Sequence, residues 1–238
     1  MRKNNGTFYC FSPPVMMATF LLEVGLIFYT FARFKMNATS RLAAGLLFFL
    51  AMFQLAEYNV CGGLGLHSET WARVGFVAIT MLPPICIHFI QSIAGKPISA
   101  ITKLAYGNAA IWTGLFMLPD AFNSYACGGN YVIFKLAGGI GGWYFAYYYA
   151  WLFVGIALAL YYSQTANLRT RRALLLQILG YLSFLFPTMI INTLNPTTVS
   201  GLPSIMCGFA VFFALIIALG ILPSLQPKQK PLFLKKNG

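Results

Sequence analysis

The sequence predicts an all-α fold: a polytopic membrane bundle of seven transmembrane helices, amino terminus outside and carboxyl terminus cytoplasmic. Three observations carry this prediction. The 238-residue chain holds seven apolar stretches of about twenty residues, the length a helix needs to cross a ~30 Å hydrocarbon core. Only 8% of its residues are charged, against about 25% in a soluble domain, and mean hydropathy is +0.73. The basic residues lie mostly in the connections expected on one side. The chain divides into an outer amino-terminal segment (1–13), the seven-helix domain (14–223) and a basic cytoplasmic tail (224–238).

The spans run Pro14–Ala32, Leu42–Cys61, Ala72–Ile93, Ile101–Leu118, Trp143–Ser163, Ala173–Leu194 and Leu202–Leu222. Arg2 and Lys3 resemble the start of a signal peptide, but the first stretch is long, carries Glu23 and lacks a clear cleavage site, so it reads as a retained helix. The fourth span is the weakest, being short and interrupted by Tyr106, Gly107 and Asn108. All seven runs are continuously apolar rather than alternating, which argues against membrane strands. Gly138, Gly139, Gly141 and Gly142 read as a flexible outer loop before the fifth span.

Orientation follows from charge. The odd-numbered connections and the tail hold Arg33, Lys35, Arg41, Lys96, Lys103, Arg169, Arg171, Arg172, Lys228, Lys230, Lys235 and Lys236; the other side holds Arg2, Lys3, Arg73 and Lys135. Positive-inside bias places the first group in the cytoplasm. The net charge of +12 is thus spread in clusters beside the spans, where it meets the lipid bilayer rather than nucleic acid.

Glu23 and Glu57 are the only acidic residues within the spans. A charge in hydrocarbon costs about 2.5–3.5 kcal/mol even on lenient scales, so such residues face the bundle interior or water. Glu23 shares a helical face with Thr19 and Thr30, about 14 Å from the outer end of its span. Gln54, Glu57, Tyr58 and Cys61 form one stripe in the outer third of span two. At similar depth come Asn192 near the end of span six and Ser204 at the start of span seven. Two readings stand: a small outward-facing ligand pocket centred on Glu57, or interhelical hydrogen bonding without a ligand. The aromatic run Trp143–Trp151, with Tyr148 and Trp151, is either an interfacial belt or a wall on which a ligand stacks.

Span three carries Thr80, Pro84, His88 and Gln91 on one face, and Pro83-Pro84 should kink it and free carbonyls. Pro187 does the same in span six. His88 lies in the inner half, which makes a direct pair with Glu57 improbable. Cys10, Cys61 and Cys127 all fall on the outer face, where a Cys61–Cys127 bridge would join two loops and Cys10 is an alternative partner. Cys86 and Cys207 read as packing residues, and the five cysteines give no metal-site spacing. No Walker A loop, zinc-protease motif or nucleophile elbow is present, and no cofactor is implied. No lysine lies deep in a span, so a retinal Schiff base has no amine. Asn5-Gly6-Thr7 is a glycosylation acceptor only in a eukaryotic source.

The segment Phe53-Gln54-Leu55-Ala56-Glu57-Tyr58, an outer loop, Trp71-Ala72-Arg73-Val74-Gly75-Phe76, then Pro83-Pro84 and His88-Phe89, resembles the amino-terminal seven-helix sensor region of bacterial histidine kinases. Arg171-Arg172, Gln177, Pro187 and Pro203-Ser204-Ile205 continue the similarity. The resemblance implies a bacterial plasma-membrane input module, with a small or lipophilic ligand and a separate cytoplasmic signalling protein as partners. The sequence departs from that family after the last span: it shows no phosphoacceptor histidine, ATP-binding domain or coiled-coil linker, so it is not expected to be an enzyme. Glu57 and Arg73, near the outer ends of spans two and three, are expected to form a partly buried ion pair. A transporter is the alternative, since spans three and six are proline-broken, although no convincing internal repeat accompanies them. An intramembrane enzyme using Glu23 or His88 lacks a paired nucleophile and base.

Overall fold

A computed structural model describes residues 13–64, 67–118, 121–127 and 132–226. The glycosylation acceptor at Asn5, Cys10, and the tail lysines from Lys228 onward lie outside the described residues. Among the described residues, six helices are long and apolar enough to cross a membrane: α1 Pro13–Arg33, α2 Ala38–Val60, α3 Ser68–Ile93, α5 Ile140–Thr165, α6 Leu168–Leu194 and α7 Leu202–Leu225. The seventh helix, α4, spans Ala100–Met117 and falls short in apolar content because Lys103, Tyr106 and Asn108 interrupt it. It nonetheless runs antiparallel to α3 along most of that helix: Gln91 meets Thr102, His88 meets Tyr106, and Phe76 meets Phe116.

Local chemistry sets the helix starts on the face where α2, α4 and α6 begin. Asn37, Ser99 and Asn167 accept hydrogen bonds from the backbone N–H of Ser40, Thr102 and Thr170, at 2.9, 3.4 and 3.0 Å. Each satisfies an amide that the helix itself leaves without a partner. On the same face Gln91 binds Ser99 and Thr102 and closes the α3–α4 turn, and Gln226 donates to Ser40 at 3.0 Å, tying the end of α7 to α2.

The helices differ sharply in burial. In the most apolar window of α3, 78% of residues are buried inside the protein; in α1 only 17% are. α3 is therefore the central helix, whereas α1 turns Leu21, Phe28 and Phe31 outward and buries only Met16, Glu23 and Thr30. These three recur at intervals of seven, a single inward stripe. The inversion, apolar outside and polar inside, is what a lipid solvent selects.

The α4–α5 connection departs from the predicted loop. It is an antiparallel hairpin, β1 Phe122–Cys127 and β2 Val132–Leu136, followed by a short 3₁₀ turn, Ala137–Gly139. Gly139 takes a left-handed conformation (φ +72°) and α5 starts at Ile140, so Gly141 and Gly142 are the first turn of a helix rather than loop. The hairpin lies over one end of the bundle, where Phe122 and Phe134 pack edge-on against Phe76. A disulfide joins Cys61, at the end of α2, to Cys127 in β1, with the Cα atoms 5.2 Å apart.

Candidate functional site

The proline pair of α3 is the first polar feature that the fold resolves. Proline has no N–H, so Pro84 leaves the carbonyl four residues earlier, that of Thr80, without its helical donor. Tyr147 of α5 supplies one: its hydroxyl donates to Thr80 O at 3.1 Å. The Thr80 hydroxyl donates to Phe76 O at 2.6 Å and lies 3.0 Å from the Tyr144 hydroxyl. These bonds turn Tyr144 and Tyr147 into the bundle, unlike the residues of an interfacial belt. Trp143 faces outward at 77% exposure, but Tyr144, Tyr147 and Tyr148 are buried, and Tyr144 packs among Phe76, Trp112 and Phe116. Tyr148 lines two small cavities of about 10 and 20 Å³, each enough for about one water molecule. Trp151 is partly buried and packs against the core.

A second polar feature lies where α1, α2 and α7 meet. Glu23 and Glu57 are both buried, at 0% and 1% exposure, and lie within electrostatic reach of each other. The Ser204 hydroxyl lies against Glu57, and Cys207 of α7 is in reach of both carboxyls. Gln54, one turn below Glu57, donates to Cys207 O at 3.1 Å and so fixes α2 on α7. Ser204 Oγ also accepts from the backbone N–H of Val132 at 3.2 Å, which ties the hairpin to the same spot. Both oxygens of Glu23 and Oε1 of Glu57 have no hydrogen-bond partner among the described residues. The only ion pair among the described residues joins Arg73 to Glu69.

That pair corrects the expected Glu57–Arg73 contact. Arg73 reaches Glu69 one turn earlier at 2.6 Å and donates to the Met117 carbonyl at 2.9 Å, at the carboxyl end of α4. Facing a helix carboxyl terminus satisfies a guanidinium with carbonyls that have no donor of their own.

Of the residues singled out in the sequence, Gln54, Glu57 and Ser204 converge, and Glu23 joins them. Tyr58 does not: it packs against the turn at Gly63, where an added Cβ would overlap its ring. Asn192 is also elsewhere, its Oδ1 accepting from the Thr198 hydroxyl at 2.7 Å. Trp71 is partly buried against the core. His88 lies 3.3 Å from the Tyr106 hydroxyl, away from the carboxyls. Pro83, Pro84 and Pro187 sit within helices that continue past them. Cys207 was read as packing only. The signal that would have added it is its place three residues after Ser204, on the same face of α7.

The arrangement can hold a cation or a hydrogen-bond donor. Two carboxyl groups converge in a low-dielectric interior without a basic side chain among the described residues, so they attract positive charge or donated hydrogens strongly. Glu23, Glu57 and Cys207 do not form a cluster that would hold a metal ion. No protein-family model matches the chain, and no curated protein matches it.

Proposed function

We propose that this chain is a membrane-embedded, receptor-like sensor whose input site is the Glu23–Glu57 pair. The observation that carries the reading is the pair itself: two buried carboxyls with three oxygens lacking a partner among the described residues. A polar group that serves packing alone is normally satisfied within the protein. One left open at this depth marks a place for an exogenous donor. The ligand class that suits it is a small cationic or donor-bearing molecule, and a lipophilic body would suit its approach from the bilayer.

In this reading the chain crosses the membrane seven times, with α4 as the fourth crossing. The disulfide end faces outward and the capped starts of α2, α4 and α6 face the cytoplasm. Support comes from the antiparallel run of α4 along α3, from the clustering of Arg and Lys at the capped ends, and from the tendency of disulfides to form on the oxidising side. The resemblance of Phe53–Phe89 to the sensor region of bacterial histidine kinases supports a relay to a separate cytoplasmic protein and a location in a bacterial plasma membrane. A ligand shifts such a relay only if it binds two arrangements unequally.

A second reading, a transporter, is favoured by the same carboxyl pair together with the proline-bearing α3 and α6. One experiment separates them. The chain is labelled at Lys96→Cys and Gln164→Cys in a Cys10→Ser background, with Cys86 and Cys207 buried and shielded from the label, and reconstituted in lipid vesicles. The sensor reading predicts that octylammonium changes the inter-label distance without crossing, and that Glu23→Gln/Glu57→Gln abolishes the change. Octylammonium accumulation across the vesicle wall that depends on both carboxylates supports the transporter. No carboxylate-dependent response of either kind refutes both.

A further inference from the structure

We propose that the start of α6 and the end of α7 form a binding site for one anionic phospholipid. Two grooves meet there. One, of about 470 Å³, lies between Arg169 and Arg172 of α6 and Ser224 near the end of α7. The other, of about 410 Å³, continues along α6 past Arg171, Leu175 and Leu179. Leu168 and Arg172 line both, so the grooves are contiguous.

The chemistry changes along this path in the order of a phospholipid. At the top, Arg169, Arg171 and Arg172 are exposed and none has an ion-pair partner among the described residues. Of the four acidic residues in the chain, Glu23 and Glu57 are buried in the bundle and Glu69 is held by Arg73 on the opposite face; Asp120 lies outside the described residues. An anion at the arginines meets no competing carboxylate among the described residues. Guanidinium groups bind phosphate in a planar fork, two donors to two oxygens, which an ammonium does not reproduce. One to two turns further on, Leu175 and Leu179 are 45% and 53% exposed and follow Arg171 and Arg172 on one side of the helix. In a bilayer this stripe faces acyl chains, so a lipid whose phosphate sits at the arginines lays its own chain along it. The last turn of α7, Pro223–Leu225, closes the other side of the headgroup groove.

The occupant inferred is a lipid rather than a free phosphate, because the arginine groove runs directly into the leucine groove through Leu168 and Arg172, one path that takes a headgroup and its own acyl chain together. The site is independent of the Glu23–Glu57 reading: it uses other helix ends and needs only that the bundle sits in a bilayer.

Native mass spectrometry of the full chain released from nanodiscs containing equal phosphatidylglycerol and phosphatidylcholine tests it. The expected result is retention of one phosphatidylglycerol, with Arg169→Gln/Arg172→Gln lowering its preference over phosphatidylcholine about tenfold. Lys96→Gln/Lys103→Gln, which removes the same charge elsewhere near this face, is expected to change that preference less than twofold. Equal retention of both lipids by the unsubstituted chain would overturn the proposal. So would an equal loss in the two double variants, since binding would then follow net charge alone. Displacement of the lipid by 10 mM inorganic phosphate would also overturn it, in favour of a phosphate site.

Discussion

The contact of α3 with α5 and the contact of α1, α2 and α7 are both polar regions buried in an apolar bundle, and they are finished differently. At the first, a proline frees the Thr80 carbonyl and Tyr147 answers it at 3.1 Å, while the Thr80 and Tyr144 hydroxyls meet at 3.0 Å. At the second, Gln54 and Ser204 make hydrogen bonds but both Glu23 oxygens and one Glu57 oxygen find no partner among the described residues. Satisfied polar groups hold helices together, and removing one partner costs the desolvation of the other. Open polar groups oppose packing and persist where another task selects them. The first region therefore reads as architecture and the second as a site.

The comparison can be broken at its supports. Cys61→Ser/Cys127→Ser removes a covalent link between residues 66 apart in sequence and should lower unfolding stability by about 2–4 kcal/mol, read by denaturant titration in micelles. It should leave the octylammonium response in place, because Ser204 still holds the hairpin through Val132. Loss of that response would tie the site to the hairpin instead. Tyr147→Phe strands the Thr80 carbonyl and should cost about 1–3 kcal/mol in the same titration. Stability within about 0.5 kcal/mol of the unsubstituted chain would mean that the proline-freed carbonyl needs no donor. Arg73→Gln should cost the least, about 1 kcal/mol or below, since Glu69 is half exposed and an ion pair so open to solvent contributes little.

Much of the fold was legible from composition. Long uninterrupted apolar runs can be little else than membrane-length helices, and each helix begins or ends within a few residues of its expected bound. The start of α6 moved most, to Leu168, because Asn167 caps the helix ahead of three arginines and hydropathy does not count capped polar turns. The hairpin was missed because β2 is only five residues long, too short for alternation to stand out beside four glycines. At the site, Glu23 and Glu57 were conspicuous as the only acidic residues in the spans. Their meeting was not, because counting depth along each helix placed them in different layers; that count assumes every helix enters the bilayer at its own end. The bonds of Tyr144 and Tyr147 to α3 were not legible, because ring type does not reveal where a hydroxyl points. The missing N–H of Pro84 was the available signal that a donor must approach Thr80.

The central claim is that the carboxyl pair serves a ligand and not the packing. Its most direct test measures Glu23→Gln/Glu57→Gln against Tyr147→Phe in one bilayer system, scoring unfolding stability and the octylammonium-induced distance change together. The account predicts that the glutamine pair matches or exceeds the stability of the unsubstituted chain, as expected when uncompensated buried acids become neutral, and loses the distance change entirely. A glutamine pair that unfolds as readily as Tyr147→Phe while keeping the distance change would contradict it.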